Sequence, residues 1–132
     1  MTFEEIIAAI KHPIYYQDSA TVIYNADCRT ILPMIPDKAV DLVLTDPPYG
    51  LDIMHAGGRS RMNGWRWREY KDECEWDLCR PDKKAFELFL AAAPVSIVWG
   101  GNYFTDYLPP SKQWLIWDKG QRDFSLADGE MA

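Results

Sequence analysis

Apolar residues near the start of the chain recur first at helical and then at strand-like intervals. In TFEEIIAAIKHP the apolar positions follow a helical period up to Pro13, and Thr2 and Glu5 have the spacing of a capping box. A strand is predicted at about Thr21 to Tyr24. Asp27 then stands where the cap of the next short helix, CRTILPMI, is expected. This part of the chain is therefore predicted to form helix, strand and helix.

Further along the chain, three apolar runs predict strands and one amphipathic segment predicts a helix. AVDLVLT is apolar apart from Asp41, a pattern typical of a strand buried on both faces of a parallel sheet. In RPDKKAFELFLAAAP, Pro81 lies near the first turn of the predicted helix, and one face carries Phe86, Phe89 and Leu90. SIVWGG and QWLIWDKG are the other two predicted strands. Strands that alternate with helices indicate an α/β fold with a mostly parallel sheet.

Residues 51–77 lack any sustained period and include the polar stretch HAGGRSRMNGWRWREYKDE. Such a segment is predicted to be a flexible basic loop. Arginine side chains are suited to binding the phosphates of a nucleic acid, and the interleaved tryptophans are suited to filling the gap that a flipped base leaves in a duplex. A solvated loop has a similar composition. The candidate DNA-binding residues are Arg59, Arg61, Trp65, Arg66, Trp67 and Arg68.

Composition restricts the class of protein. With 132 residues, 48% of them hydrophobic, the chain is at most one domain and has enough apolar residues to bury a core. The net charge of -6 argues against a surface that is basic throughout, so any nucleic-acid site must be local. The cysteines Cys28, Cys74 and Cys79 have neither a disulfide pattern nor zinc spacing, and no metal is predicted. Neither a signal peptide nor a membrane span is evident, so a cytoplasmic location is expected.

The segment TDPPYG, which follows the AVDLVL run, has the composition of a rigid corner. Two consecutive prolines remove two backbone donors and restrict the chain, so neither a helix nor an interior strand continues. In parallel sheets, ligands bind beyond the carboxyl ends of the strands. An enzyme acting on the exocyclic amino group of a base needs acceptors for the amino hydrogens, and Asp46 and the Pro47 carbonyl are such acceptors. Tyr49 is suited to stacking on an extruded base.

TDPPYG resembles the catalytic motif of the amino-group DNA methyltransferases, which modify adenine N6 or cytosine N4 with S-adenosylmethionine. YNADCRTILPMIPDKAVDLVLTDPPYG and the downstream IVWGGNYFTDYLPPSKQWLIWDKGQRDFSLADGE are similar to phage and prophage modification methylases in which the catalytic motif comes first. The resemblance covers roughly Thr21 to Ala132. It implies a Rossmann-like sheet, a restriction-modification or phage setting in a bacterial or phage-infected cell, and the catalytic residues Asp46, Pro47, Pro48 and Tyr49.

The resemblance also implies a substrate and a cofactor. DPPY is the form usual for adenine enzymes, so it implies transfer to adenine N6 in double-stranded DNA with a flipped base, with cytosine N4 as the alternative. S-adenosylmethionine is the implied cofactor, with contacts from Asp27 and Asp46. Asp27 is equally suited to capping a helix.

One expected motif of this subgroup is missing from the sequence. The methionine part of the cofactor is bound by a glycine-rich FxGxG turn toward the carboxyl end, and neither HAGGRSRMNG nor VWGGNYF has that pattern. Residues 1–132 are therefore expected to be the N-terminal, catalytic-motif part of a methyltransferase domain, truncated at the C-terminus and lacking the glycine-rich cofactor strand. Alone it is expected to be inactive until a missing C-terminal part or a second chain completes it. The alternative is an inert truncated product that serves as a DNA- or partner-binding module.

Overall fold

A computed structural model describes residues 1–51, 78–120 and 129–132, and the chain divides into two compact units. The first unit comprises Met1–Thr45 and Asp82–Ile97, and the second comprises Asp46–Pro81 and Val98–Ala132. The predicted basic loop, apart from its first residue, lies outside the described residues. Within the described ranges, no helix has the length and apolar character needed to cross a membrane.

The first unit begins with the predicted helix, α1 (Phe3–Ala9). Its capping box is confirmed, because the Glu5 N–H donates to Thr2 Oγ1 over 3.2 Å and the Thr2 N–H donates to Glu5 Oε2 over 2.9 Å. These two bonds satisfy backbone donors that the first turn of a helix leaves without partners.

A two-stranded hairpin follows α1. The predicted strand is confirmed as β2 (Val22–Ile23), and it pairs antiparallel with β1 (Tyr16–Gln17), a strand that the sequence patterns did not reveal. Asp18 closes the turn between them, since its Oδ1 accepts hydrogen bonds from the N–H groups of Ala20 and Thr21. A connection this short joins antiparallel strands, and a parallel pair needs a longer crossover.

The next helix is short and changes geometry at a proline. Asp27 caps α2 (Cys28–Ile31), as predicted, by accepting a hydrogen bond from the Arg29 N–H over 2.8 Å. The chain then tightens into a 3-10 turn at Leu32–Met34. Pro33 has no N–H to donate, so the regular ladder of α-helical hydrogen bonds does not continue through it.

The core of the first unit lies on one face of α3 (Lys83–Ala92), which is capped by Asp82. The predicted apolar face is confirmed, with Phe86 fully buried and Phe89 nearly so. The helix connects β3 (Leu42–Thr45) to β4 (Val95–Val98), and the two strands form a parallel pair. A strand, a crossover helix and a second parallel strand form the elementary unit of α/β folds.

Two strand predictions are wrong for the described residues. β3 is not buried on both faces, because Leu42 and Leu44 are exposed, Leu44 at 63%. The sheet is not mostly parallel, since β5 (Ile116–Asp118) pairs antiparallel with β6 (Gly129–Met131), as β1 does with β2. Apolar composition alone does not report how many neighbours a strand has, and β3 has one strand neighbour within the described ranges.

Candidate functional site

The corner predicted from TDPPYG leaves the end of β3 with its carboxylate exposed. Thr45 is the last residue of the strand, and Asp46 to Tyr49 have no regular secondary structure. Asp46 is exposed, whereas Pro47 is buried. The two prolines therefore anchor the corner and restrict its backbone, while the acidic side chain is accessible to a ligand.

The side chains of Asp46 and Tyr49 are joined by a short hydrogen bond. The Tyr49 hydroxyl donates to Asp46 Oδ1 over 2.5 Å. Burial of the ring, together with this bond to Asp46, raises the pKa of the Tyr49 phenol above its ordinary value, so the phenol is a donor at neutral pH. The other carboxylate oxygen, Oδ2, accepts no hydrogen bond from the described residues. The corner thus presents one oriented side-chain acceptor.

Aromatic rings surround Tyr49 in the second unit. Tyr103 stacks on it with ring centroids 4.8 Å apart and planes 18° from parallel, and Phe104 lies at 6.1 Å in a tilted arrangement. Phe104 is fully buried, whereas Tyr103 is exposed at 37%. Tyr49, the residue predicted to stack on a base, therefore already stacks on Tyr103.

The glycine pair after β4 makes room for that ring. Gly100 has φ of +66°, and a Cβ atom built on it would lie 2.1 Å from Tyr49 Cε1. Both the left-handed backbone and the lack of space favour glycine at this position. Packing against Tyr49 therefore explains the first glycine of the pair that ends the SIVWGG run.

A cluster around Arg80 was not predicted from the sequence. Arg80 Nη1 donates to Asp106 Oδ1 and Nη2 donates to Asp106 Oδ2, both over 2.9 Å, which is the bidentate geometry that arginine makes with carboxylates. Nη1 also donates to the Tyr103 carbonyl over 2.6 Å. The guanidinium carbon lies 4.7 Å from the Tyr107 ring centroid. Arg80 and Asp106 are 26 residues apart, and no motif links them, so only folding brings them together.

The residue that follows Tyr49 packs against the same arginine. Gly50 has φ of +70°, and a Cβ atom there would lie 2.9 Å from the Arg80 backbone nitrogen. The close approach of the two backbones and the left-handed conformation both require a residue without a side chain. The final glycine of TDPPYG therefore has a packing role.

Asp27, the other predicted cofactor contact, lies in the first unit and is engaged as a helix cap. Its carboxylate also pairs with the Arg29 guanidinium over 2.6 Å. The hydrogen bonds from Arg29 lower the pKa of Asp27 to about 2. These contacts account for an aspartate at this position, and its contact with a cofactor stays a prediction.

The remaining predicted site residues lie outside the described ranges. They are the candidate DNA contacts Arg59, Arg61, Trp65, Arg66, Trp67 and Arg68. Among the residues that the structure does describe, no group of three or more histidine, cysteine or acidic side chains is placed to hold a metal ion.

Sequence comparison relates the chain to a methyltransferase. It is similar to the Type II methyltransferase M.BamHI of Bacillus amyloliquefaciens, with 29% identity over 119 residues. The matched region is 86% of this chain and 26% of the relative, so the chain spans about a quarter of the length of the protein it matches. No protein-family model matches the chain, and no solved structure shows significant similarity to it.

Proposed function

We propose that the chain carries the catalytic corner of a DNA methyltransferase of the amino-group class, which transfers a methyl group from S-adenosylmethionine to adenine N6. The observation that carries the proposal is the exposed Asp46 carboxylate at the end of β3, with Oδ1 held by the Tyr49 hydroxyl and Oδ2 without a partner among the described residues. The similarity to a Type II methyltransferase supports the reaction class. The Asp-first form of the motif favours adenine over cytosine.

The amino group of a nucleobase is a poor nucleophile because its lone pair is delocalised into the ring. An acceptor placed on each amino hydrogen lets the nitrogen rehybridise, so that the lone pair points out of the base plane. In this proposal Asp46 Oδ2 accepts one hydrogen and the Pro47 carbonyl accepts the other. Acceptors fixed before the base arrives need no reorganisation during the reaction, and this is the main catalytic contribution of the corner.

Tyr49 has two roles in this proposal. Its hydroxyl orients the Asp46 carboxylate through Oδ1 and leaves Oδ2 for the substrate. The extruded base extends the aromatic stack that Tyr49 and Tyr103 already form. Extrusion costs a few kcal/mol, and one stacked base returns roughly 1–3 kcal/mol.

The residues at the corner fit a cationic methyl donor. An exposed carboxylate beside electron-rich aromatic rings complements a sulfonium and a purine, although part of the carboxylate is committed to Tyr49. When bound, S-adenosylmethionine would supply an electrophilic methyl group. As the amino nitrogen bonds to the methyl carbon, the S–CH3 bond would break and its electron pair would stay on the sulfur of the released thioether, S-adenosylhomocysteine. Asp46 or water would take the proton from the cationic amino nitrogen. A Rossmann-like arrangement of the sheet is part of the proposal.

The test compares two aspartates at opposite ends of one strand. The assay supplies the chain with a part that carries the glycine-rich cofactor turn. In this completed protein we expect Asp46→Asn to lower transfer of labelled methyl from S-adenosylmethionine to unmodified duplex DNA by at least about 100-fold, the scale seen when one catalytic hydrogen-bonding group is removed. Asp41→Asn removes an exposed carboxylate just before β3 and is expected to leave transfer unchanged. DNA binding should survive in both variants.

Digestion of the modified DNA to nucleosides identifies the acceptor base. N6-methyladenine supports the proposal, and N4-methylcytosine would keep the amino-group class but change the base. If no methyl is transferred even when a part carrying the glycine-rich cofactor turn is supplied, and calorimetry detects no binding of S-adenosylmethionine to the completed protein, the enzymatic proposal is wrong. The binding-module alternative would then account for the chain.

A further inference from the structure

Arg80 makes more directed contacts than any other basic side chain among the described residues. Its guanidinium donates to both oxygens of Asp106 and to the Tyr103 carbonyl, and Nη2 lies 3.4 Å from the Tyr107 hydroxyl. The group also lies over the Tyr107 ring. A planar fork that binds a carboxylate and stacks on a ring holds one orientation, which an ammonium on a flexible stem does not do.

These contacts connect Arg80 to the catalytic corner through one intermediate residue. Arg80 holds the main-chain carbonyl of Tyr103, and the Tyr103 ring stacks on Tyr49. Tyr49 in turn donates to Asp46. A shift of Tyr103 would therefore change the support of the Tyr49 ring and the direction of its hydroxyl.

A second connection runs through the backbone. Gly50 follows Tyr49 directly, and the backbone of Arg80 occupies the space where a side chain at Gly50 would be. Arg80 thus contacts the neighbours of Tyr49 in two ways. Its main chain packs against Gly50, and its guanidinium binds the carbonyl of Tyr103. All of these residues belong to the second unit.

The exposure of this cluster argues against a role in stability alone. The Arg80 side chain is 34% exposed and that of Asp106 is 53% exposed, and ion pairs at such positions contribute little to folding. Their bidentate geometry fixes orientation and adds energy, and solvent screening limits that energy at these exposures. An arrangement that orients more than it stabilises is expected where geometry limits a reaction.

We propose that Arg80, held by Asp106, is a positioning residue that sets the Tyr49 hydroxyl and thereby the Asp46 carboxylate for the amino group of the substrate. The inference rests on the proposed methyl transfer. Arg80 itself touches neither the base nor the methyl group in this role.

The first arm of the test needs no activity. The protein is produced with isotope-labelled tyrosine, and the ring signals of Tyr49 are those that disappear from the NMR spectrum of Tyr49→Phe. The positions of these signals report the stacking of Tyr49 on Tyr103. We expect Arg80→Lys, Arg80→Gln and Asp106→Asn to shift these signals, and Lys83→Gln to leave them in place. Lys83 is a matched control because it is an exposed cation paired with a carboxylate, Glu87, on α3. Unchanged Tyr49 signals in folded Arg80→Lys and Asp106→Asn would overturn the inference.

The second arm measures methyl transfer to DNA by the protein completed with a part that carries the glycine-rich cofactor turn. We expect kcat to fall about 10- to 100-fold in Arg80→Gln, as expected for misplacement of a catalytic group. The decrease should be smaller in Arg80→Lys and Asp106→Asn. An unchanged kcat together with shifted Tyr49 signals would also overturn the inference.

The two arms separate this inference from the proposed function. Absence of transfer by the completed, unsubstituted protein contradicts the proposed function, whereas the Tyr49 signals still decide whether Arg80 sets the corner. If Arg80→Gln fails to fold, as judged by circular dichroism, Arg80→Lys and Asp106→Asn carry the test. The first replaces the guanidinium fork with an ammonium, the second removes the charge of the carboxylate that binds it, and both keep most of the packing.

Discussion

The two compact units differ in what holds their side chains in place. In the first, one face of α3 buries apolar side chains, and Phe86 is removed from solvent completely. In the second, Phe104 is also buried, but the polar side chains around the corner are accessible to solvent and are tied by directed bonds, from Tyr49 to Asp46 and from Arg80 to Asp106. Apolar burial is non-directional and roughly proportional to area, whereas hydrogen bonds and ion pairs restrict angles.

The difference indicates where a substitution should affect stability and where it should affect geometry. A cavity in the first unit costs free energy of unfolding because the lost contacts are not replaced. A lost bond at the corner is partly replaced by water, so stability changes less and the orientation of the carboxylate changes more. Four substitutions, three of them with a matched partner, test this contrast.

The largest effect is expected from Phe86→Ala in the first unit. Truncation of a fully buried phenylalanine leaves a cavity, and the free energy of unfolding should fall by about 3–5 kcal/mol. Leu44→Ala, at a position that is 63% exposed, should change it by less than about 1 kcal/mol. Denaturant unfolding followed by circular dichroism measures both. Equal losses in the two variants would contradict the assignment of the core to α3.

Two glycines with the same backbone conformation separate the cost of backbone strain from the cost of crowding at the corner. Gly100 and Gly120 both have φ of +66°, but a Cβ atom contacts Tyr49 at Gly100 and meets nothing within 4 Å among the described atoms at Gly120. Substitution by alanine should cost about 1–2 kcal/mol at either position for the left-handed backbone. Gly100→Ala should cost about 1–3 kcal/mol more, because Tyr49 must move.

Urea unfolding of both alanine variants gives the difference, and NMR signals of the Tyr49 ring show whether it has moved. The same cost at both positions, with Tyr49 signals in place, would mean that Gly100 is retained for its backbone conformation alone.

A tyrosine hydroxyl donates to an aspartate in each of the two units, so the hydroxyl can be deleted in either unit and the two effects compared. Tyr49→Phe deletes the hydroxyl that holds Asp46, and transfer is expected to fall about 10- to 100-fold, since a hydrogen bond to a charged group contributes roughly 1.5–3 kcal/mol. Tyr16→Phe deletes the hydroxyl that donates to Asp18 over 2.9 Å in the first hairpin, and transfer should not change. A labelled-methyl assay on both variants is the measurement. Similar rates for both would show that Asp46 needs no orientation by Tyr49.

The smallest effect is expected from the charge on Asp27. Arg29 depresses the pKa of this exposed carboxyl to about 2, below its ordinary value of about 3.9, so its contribution to stability is present above about pH 4. The contribution is lost as the pH falls through about 2. Asp27→Asn keeps an effective helix cap but removes the titration.

The free energies of unfolding of the unsubstituted protein and Asp27→Asn should therefore converge between about pH 4 and pH 2. Urea titrations across this range measure the gap. A gap that stays constant with pH would show that the Arg29 pair contributes nothing in solution.

Local signals in the sequence were sufficient for several elements. The capping box of Thr2 and Glu5, the cap at Asp27 and the buried face of α3 were all predicted, because each depends on residues within a few positions of one another. The exposure of Leu44 and the antiparallel pairing of β1 with β2 were missed. Strand burial and pairing depend on neighbours that the local pattern does not specify.

By itself, the sequence determined the rigid corner of Asp46 to Tyr49, because two adjacent prolines restrict the backbone wherever they occur. The chemistry proposed for the corner also comes from the sequence, because it depends on residue type. Only the tertiary structure showed that the Tyr49 hydroxyl is directed to Asp46, that Gly100 leaves room for the ring, and that Arg80 reaches Asp106 across 26 positions. Contacts between distant segments form when the chain folds, and no local preference encodes which of the many possible partners will meet.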